Sequence, residues 1–279
     1  MAAILPLFGS RPRVALVRLH GLIAARPTPL VAGGLNIASV GPLLDRAFAI
    51  RRLAGVILAV NSPGGSAAQS SLIAGRIRRL AEEKNLPVIA CVEDAAASGG
   101  YWLACAADEI VADPASILGS IGVISASFGL QEAIARLGIE RRVRTAGTEK
   151  SFLDPFRPED PRDRERLEEL LQALHEEFKA WVRARRGPRL RAPEEQLFTG
   201  RFWTGRRAVE LGLADRIGSA EGEAKRRFGE KARLIPVGAR RAPWPWRLLP
   251  GVGAALAAGA GEALAAAIEE RAAWARLGL

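Results

Sequence analysis

The chain is poor in several side chains on which enzyme chemistry often depends. Its 279 residues include two cysteines, Cys91 and Cys105, and two histidines, His20 and His175. Two thiols, each in an apolar run, do not make a disulfide framework. Two thiols are fewer than a cysteine metal site needs and two histidines leave few places for a His-rich one, so no metal and no cofactor is expected. The same scarcity leaves little room for a histidine-based triad. Lysine is also rare: of forty basic residues only five are Lys, at 84, 150, 179, 225 and 231, and the rest are Arg. Long hydrophobic runs are missing too. Met1–Phe8 is apolar but short, with no basic stretch before it, and does not read as a signal peptide. Leu248–Ile268 comes nearest to a membrane span, but Pro250, Glu262 and many Ala and Gly residues oppose insertion. The expectation is a cytoplasmic or peripherally membrane-associated protein.

What is present describes a folded protein. Hydrophobic residues make up 49% and charged residues 25%, which excludes a disordered or collagen-like chain. The net charge of +10 invites a nucleic-acid reading. The arginines are spread in pairs such as Arg51–Arg52, Arg78–Arg79 and Arg206–Arg207, with no stripe of interleaved stacking aromatics. They read as a solvated surface, and no nucleic-acid partner is expected.

Buried strand, turn and helix alternate along the chain. Val14–Leu19, Gly55–Val60, Pro87–Val92 and Glu109–Ala112 read as strands, the second and third as continuous apolar runs buried on both faces. Helices are expected at Val40–Leu53, Gln69–Lys84, Tyr101–Ala106, Gly129–Leu137, Arg162–Arg185, Arg206–Leu211 and Ala220–Phe228. Further strands are expected at Arg141–Thr145 and Arg233–Val237. The pattern predicts an α/β fold with a largely parallel sheet. One domain spans 12–237, after an N-terminal segment 1–11. A linker, 238–247, and an Ala-rich helical extension, 248–279, follow it. Trp244, Trp246, Arg240, Arg241 and Arg247 would suit a membrane interface, or the tail packs on protein.

Three segments carry chemistry. In Asn61-Ser62-Pro63-Gly64-Gly65 a turn follows a buried strand, and residues without Cβ let backbone N–H groups approach a ligand; a tight turn alone would also favour glycine. Ser98, among small residues in Ala95–Tyr101, stands at a strand-to-helix junction, where a nucleophile or a helix cap is at home. Lys150 lies in Gly147-Thr148-Glu149-Lys150-Ser151. It reads either as a surface lysine or as a base, because arginine cannot give up its proton near neutral pH and a desolvated lysine can.

Taken together these segments resemble the ClpP/crotonase superfamily, and over Val14–Val237 the signal peptide peptidase A family in its short, SppA/SohB-like form. The match is carried by Asn61–Gly65, Ala96–Trp102, Ala107–Ile110, Gly119–Val123, Gly147–Lys150 with Asp154-Pro155-Phe156, Thr199–Arg201 and Ala208–Asp215. The resemblance implies a ClpP/crotonase-like fold and a serine peptidase with a Ser–Lys dyad. Ser98 matches the nucleophile, Lys150 the general base, and Ser120 the serine that orients the lysine. Gly65 and Gly99 match the donors of the oxyanion hole. Relatives with a histidine base carry it about 25 residues after the serine, where this chain has Gly119–Val123. Short members of the family complete the dyad between neighbouring subunits, so a homo-oligomer is implied, in which Ser98 and Lys150 of one chain do not meet. The substrates implied are short apolar peptides, including cleaved signal peptides. The competing expectation is a catalytically silent scaffold or membrane-organising protein on the same fold.

Overall fold

The computed structural model describes residues 11–25, 34–147, 149–238, 268 and 270–279. The expected linker 238–247, apart from Gly238, and most of the extension 248–279 lie outside them, as do Trp244, Trp246, Arg240, Arg241 and Arg247. Residues 270–275 are helical.

The centre is a sheet of eight strands. β1 (Arg13–His20), β2 (Leu53–Ser62), β3 (Val88–Ala97), β4 (Glu109–Ala112), β5 (Ile117–Gly119), β6 (Phe202–Thr204), β7 (Arg216–Ile217) and β8 (Arg233–Val237) form it. The main path runs β6-β5-β3-β2-β1-β8, with β4 beside β3 and β7 beside β4. Every pairing is parallel except β5 with β6. The continuous apolar runs are accounted for by cover on both faces. Val56, Leu58, Val60, Val88, Ala90 and Val92 point into one core, while Ile57, Ala59, Ile89 and Cys91 point into the other.

The larger core is closed by α1 (Ile37–Phe48), α2 (Ala67–Lys84), α3 (Gly99–Ala104) and part of α5 (Pro161–Arg186). The smaller one is closed by α8 (Ala220–Phe228), through Ala224 and Phe228. Helix starts follow local chemistry. Asn36 and Ser39 form a reciprocal capping box on α1. Ser66 caps α2, Asp160 caps α5 with Pro161 in its first turn, and Ser219 caps α8. The helices α4 (Gln131–Arg136), α6 (Glu194–Leu197) and α7 (Gly205–Glu210) are short. Among the described residues no helix is long and apolar enough to cross a membrane.

Two expectations are corrected. Arg141–Thr145 is not a strand but mostly exposed, irregular chain, because among the described residues no neighbouring strand offers it a ladder. Its arginines turn to local partners instead: Arg141 to Asp154 and, at 5.3 Å, to the ring of Phe156, and Arg142 to Glu140. The sequence pattern also predicts a small-residue turn over Ala95–Gly100, but Ala95–Ala97 is the end of β3, held by pairing to Ile117–Gly119, and Gly99–Gly100 open α3.

Burial pushes both cysteine thiols up to about 12. The native protein is therefore expected to resist alkylation by iodoacetamide at pH 8 and to take up two adducts only on unfolding, as read by mass spectrometry. Prompt modification of the native protein would show that β3 or α3 opens locally.

A buried carboxylate gives the acid limb of stability. Burial of Glu223 works to raise its carboxyl, but hydrogen bonds from Arg216 and from Arg226 (2.8 Å) outweigh it and hold the group below its ordinary 4.5. A depressed carboxylate stabilises the fold above its unfolded value and loses that contribution as pH falls through the lower folded value. Glu223→Gln is expected to flatten the loss of melting temperature below pH 5. An unchanged acid limb would assign it to other groups.

Candidate active site

Ser98 follows directly from β3 and precedes α3. Its backbone is strained, with φ 51 and ψ −120, a conformation a side-chain-bearing residue holds only when its surroundings impose it. The imposing contacts are visible. Ser98 N donates to Gly119 O at 2.8 Å, continuing the ladder with β5, and Trp102 N donates to Ser98 O at 3.0 Å, closing the first turn of α3. The side chain makes no capping hydrogen bond to the helix. That removes the helix-cap explanation for this serine. The residue is half-buried, at a junction where its hydroxyl is spared from structural duty.

Gly64 and Gly65 come alongside. A Cβ built on Gly64, which has φ +106, would meet Ala97 O and Ser98 Cβ at 2.8 Å and Gly99 N at 2.9 Å. Only glycine allows that turn to press against the serine. Gly65, at φ +136, is held by a bridge to Ile23, in which Ile23 N donates to Gly64 O at 2.8 Å and Ser66 N to Ile23 O at 2.8 Å. A Cβ on Gly99 would stand 3.4 Å from Gly65 N. Among the described residues, neither Gly65 N nor Gly99 N has a hydrogen-bond acceptor. Two free N–H donors thus lie beside one unengaged serine hydroxyl. Such an arrangement can stabilise an oxyanion formed at a carbonyl under attack.

Ser120 belongs to the same neighbourhood. It follows Gly119, the partner of Ser98, has φ 53, and donates its N–H to Arg201 O at 2.7 Å. Lys150 does not join them. It is exposed, in a turn whose Lys150 N reaches Gly147 O at 3.4 Å, and among the described residues no hydrogen bond links it to Ser98 or Ser120. The histidines serve elsewhere. His20 Nε2 lies 2.9 Å from Glu93 Oε2 at the end of β1, and His175 Nε2 meets Ile121 O at 3.2 Å.

Asn61 also bears on the position of Ser98. Its side chain joins β2 to an irregularity in β3, accepting from Ala95 N at 3.2 Å and donating to Asp94 Oδ2 at 2.5 Å, just before the strand delivers Ser98. A polar residue ending a buried apolar strand was the available signal. The helix α5 in turn grips α3. Phe178 stacks on Trp102 at 4.7 Å, and Trp181 Nε1 donates to Trp102 O at 3.0 Å. Arg185 donates to Cys105 O and Ala107 O, both at 3.0 Å, and Arg78 donates to Ala106 O at 3.3 Å, so arginines satisfy the carbonyls of the turn that follows α3. Part of the excess arginine therefore supports the helix behind Ser98.

Comparison with known proteins identifies the family. The sequence model of Peptidase family S49 matches residues 80–234, more than half of the chain. "Na(+)/H(+) antiporter NhaA" of Brucella abortus (strain 2308) is 45% identical over 274 residues, covering 95% of this chain and 37% of that protein. "Serine protease SPPA, chloroplastic" of Arabidopsis thaliana is 34% identical over 218 residues, covering 77% of this chain and 32% of the relative. "Putative protease SohB" of Buchnera aphidicola is 32% identical over 211 residues, covering 72% and 59%. The chain thus spans about a third of the length of the first two relatives. With a mostly parallel α/β sheet, a serine presented at the end of a central strand and a family match that runs from the end of α2 to the start of β8, this chain belongs to peptidase family S49.

Proposed function

We propose that this chain is the subunit of a self-assembling serine peptidase, with Ser98 as nucleophile and Lys150 of a neighbouring copy as general base. The observation that carries the reading is Ser98 itself: strained at φ 51, free of a capping bond, and beside the unpaired N–H groups of Gly65 and Gly99. In this mechanism the lysine amine takes the hydroxyl proton, and Ser98 Oγ attacks the scissile carbonyl carbon. The carbonyl oxygen becomes an oxyanion held by the two glycine N–H groups. The lysine ammonium then protonates the leaving amine, and water attacks the acyl-enzyme by the same route in reverse. Ser120 orients the lysine.

The neighbouring copy is supported by what one chain leaves bare. Lys150 is exposed within its own chain, and a lysine serves as a base only where burial strips its solvent. The segment leading to it exposes Ile124 (70%), Phe128 (84%) and Leu137 (73%), an apolar excursion unusual for a free surface. A second copy laid over this excursion would cover these side chains and bring Lys150 to the other chain's Ser98. The resemblance to SppA/SohB-like peptidases suggests short apolar peptides, including cleaved signal peptides, as substrates. Peripheral membrane contact is part of the same proposal.

A fluorophosphonate probe tests the assignment. Wild-type protein is expected to be labelled once, on Ser98, with labelling lost in Ser98→Ala and slowed by about a hundredfold or more in Lys150→Ala. Robust labelling of Lys150→Ala would remove lysine from the mechanism. An assembled wild type that takes no label would leave the silent scaffold in its place.

A further inference from the structure

We propose that Arg166 and Asp163 on α5 are positioning residues that set the place of Lys150. The inference rests on the Ser98–Lys150 reading above and names the part of the fold that aims the base.

The described residues of the segment 147–153 belong to no helix or strand. Little within the segment holds it: the Lys150 N to Gly147 O bond is long, at 3.4 Å, and Arg157 reaches Ser151 Oγ only at 3.4 Å. Among the described residues two further side chains outside the segment fasten it to the body, and both lie on α5. Glu149, the residue before Lys150, forms an ion pair with Arg166. Leu153, three residues after Lys150, donates its N–H to Asp163 Oδ2 at 3.0 Å. Leu153 has φ 51, a conformation that a bulky side chain disfavours and that persists when outside contacts over-determine it. Asp163 and Arg166 stand three residues apart on one helix face, 3.8 Å from each other. Lys150 is thus bracketed by two anchors on one turn of helix.

The rest of α5 explains why this turn is a fixed reference. Farther along, His175 meets Ile121 O beside Ser120, and Phe178, Trp181 and Arg185 grip α3 and its trailing turn. About 18 Å of helix axis separates Arg166 from Phe178. One rigid element therefore holds the serine-bearing helix at one end and the lysine-bearing loop at the other. In an assembly where each copy lends its lysine to the next, α5 relays the position of one active site to its neighbour. Arg166 touches neither Ser98 nor substrate; it acts through Glu149.

The test uses the full-length assembled protein and a fluorogenic apolar peptide, with assembled mass followed by light scattering. Arg166→Ala is expected to lower kcat by on the order of tenfold or more, the scale of a misplaced catalytic group. KM should stay within about twofold and the assembled mass unchanged. Arg166→Lys should retain more of kcat than Arg166→Ala. Glu149→Arg alone should be impaired, and combining it with Arg166→Glu should recover most of the loss by restoring the pair in reverse. Wild-type kcat in Arg166→Ala beside an inactive Lys150→Ala would overturn this inference alone. So would a reversed pair that assembles without recovery, or loss of assembly in Arg166→Ala, which would make the pair an interface contact. Full activity in Lys150→Ala would instead overturn the dyad on which the inference rests.

Discussion

Ser98→Ala subunits mixed with Lys150→Ala subunits are expected to regain peptidase activity that neither has alone. Each pure variant should lose on the order of 10⁴-fold or more in kcat, as is usual when a nucleophile or its base is removed. The recovery follows from where the two side chains lie. Ser98 is half-buried at the end of β3, whereas Lys150 is exposed in a loop tied to the far end of α5, and among the described residues no hydrogen bond joins them. If the site is shared between copies, a random equimolar assembly has about a quarter of its sites built from one intact serine and one intact lysine. Co-expression followed by purification of mixed assemblies through two different tags would provide the sample. Mixed assemblies as inactive as the parents would refute the shared site. Independence of the recovered activity from subunit ratio would refute it as well.

The second large effect is on stability. Arg186→Ala is expected to cost about 3–5 kcal/mol, the usual penalty for stripping a buried charge of its partner, and a large part of the roughly 5–15 kcal/mol that keeps a domain folded. Arg186 is buried at 1% exposure, the largest fully buried side chain among the described residues. Its Nη1 donates to Asp215 Oδ2 at 2.7 Å, and its Nη2 to Gly212 O at 2.7 Å. Asp215 in turn accepts from Ile110 N at 2.6 Å, and Tyr101 of α3 donates to Leu213 O at 2.8 Å. Removal of the guanidinium would leave the Gly212 carbonyl without its side-chain donor and the Asp215 carboxylate without its closest cation, holding only Ile110 N and, at 3.8 Å, Arg189, next to the helix that starts at Ser98. Equilibrium unfolding in urea measures the loss, and a cost below about 1 kcal/mol would show that water takes over the vacated bonds.

Much of the architecture was readable in advance because its causes are local. α8 starts at a capping serine and runs Ala220–Phe228 as the periodicity indicated, and β4 and β8 have the expected limits. The apolar runs of β2 and β3 required cover on both faces and received it. β5 and β6, three residues each, were not legible: Ile117–Gly119 and Phe202–Thr204 become strands by pairing with each other, and β5 also with β3. Arg141–Thr145 failed in the opposite sense, since β-rich residues alone make no strand without a neighbour to pair with.

The site divides along the same line. Scarcity of histidine and lysine, a serine among small residues after a buried strand, and a Pro-Gly-Gly turn mark Ser98, the Gly64–Gly65 turn and Lys150, because each signal lies within a few consecutive residues; Ser120, Gly99 and the roles of all of them come only from the resemblance to SppA/SohB-like peptidases. Contacts distant in sequence decided the rest. The strain at Ser98 depends on Gly119, the approach of Gly65 depends on Ile23, and the hold on the Lys150 loop depends on Arg166 and Asp163. Composition and periodicity record what each segment prefers for itself. Which donors remain unpaired beside the serine, and which helix holds the lysine, are set by packing between segments, and only the tertiary structure contains that.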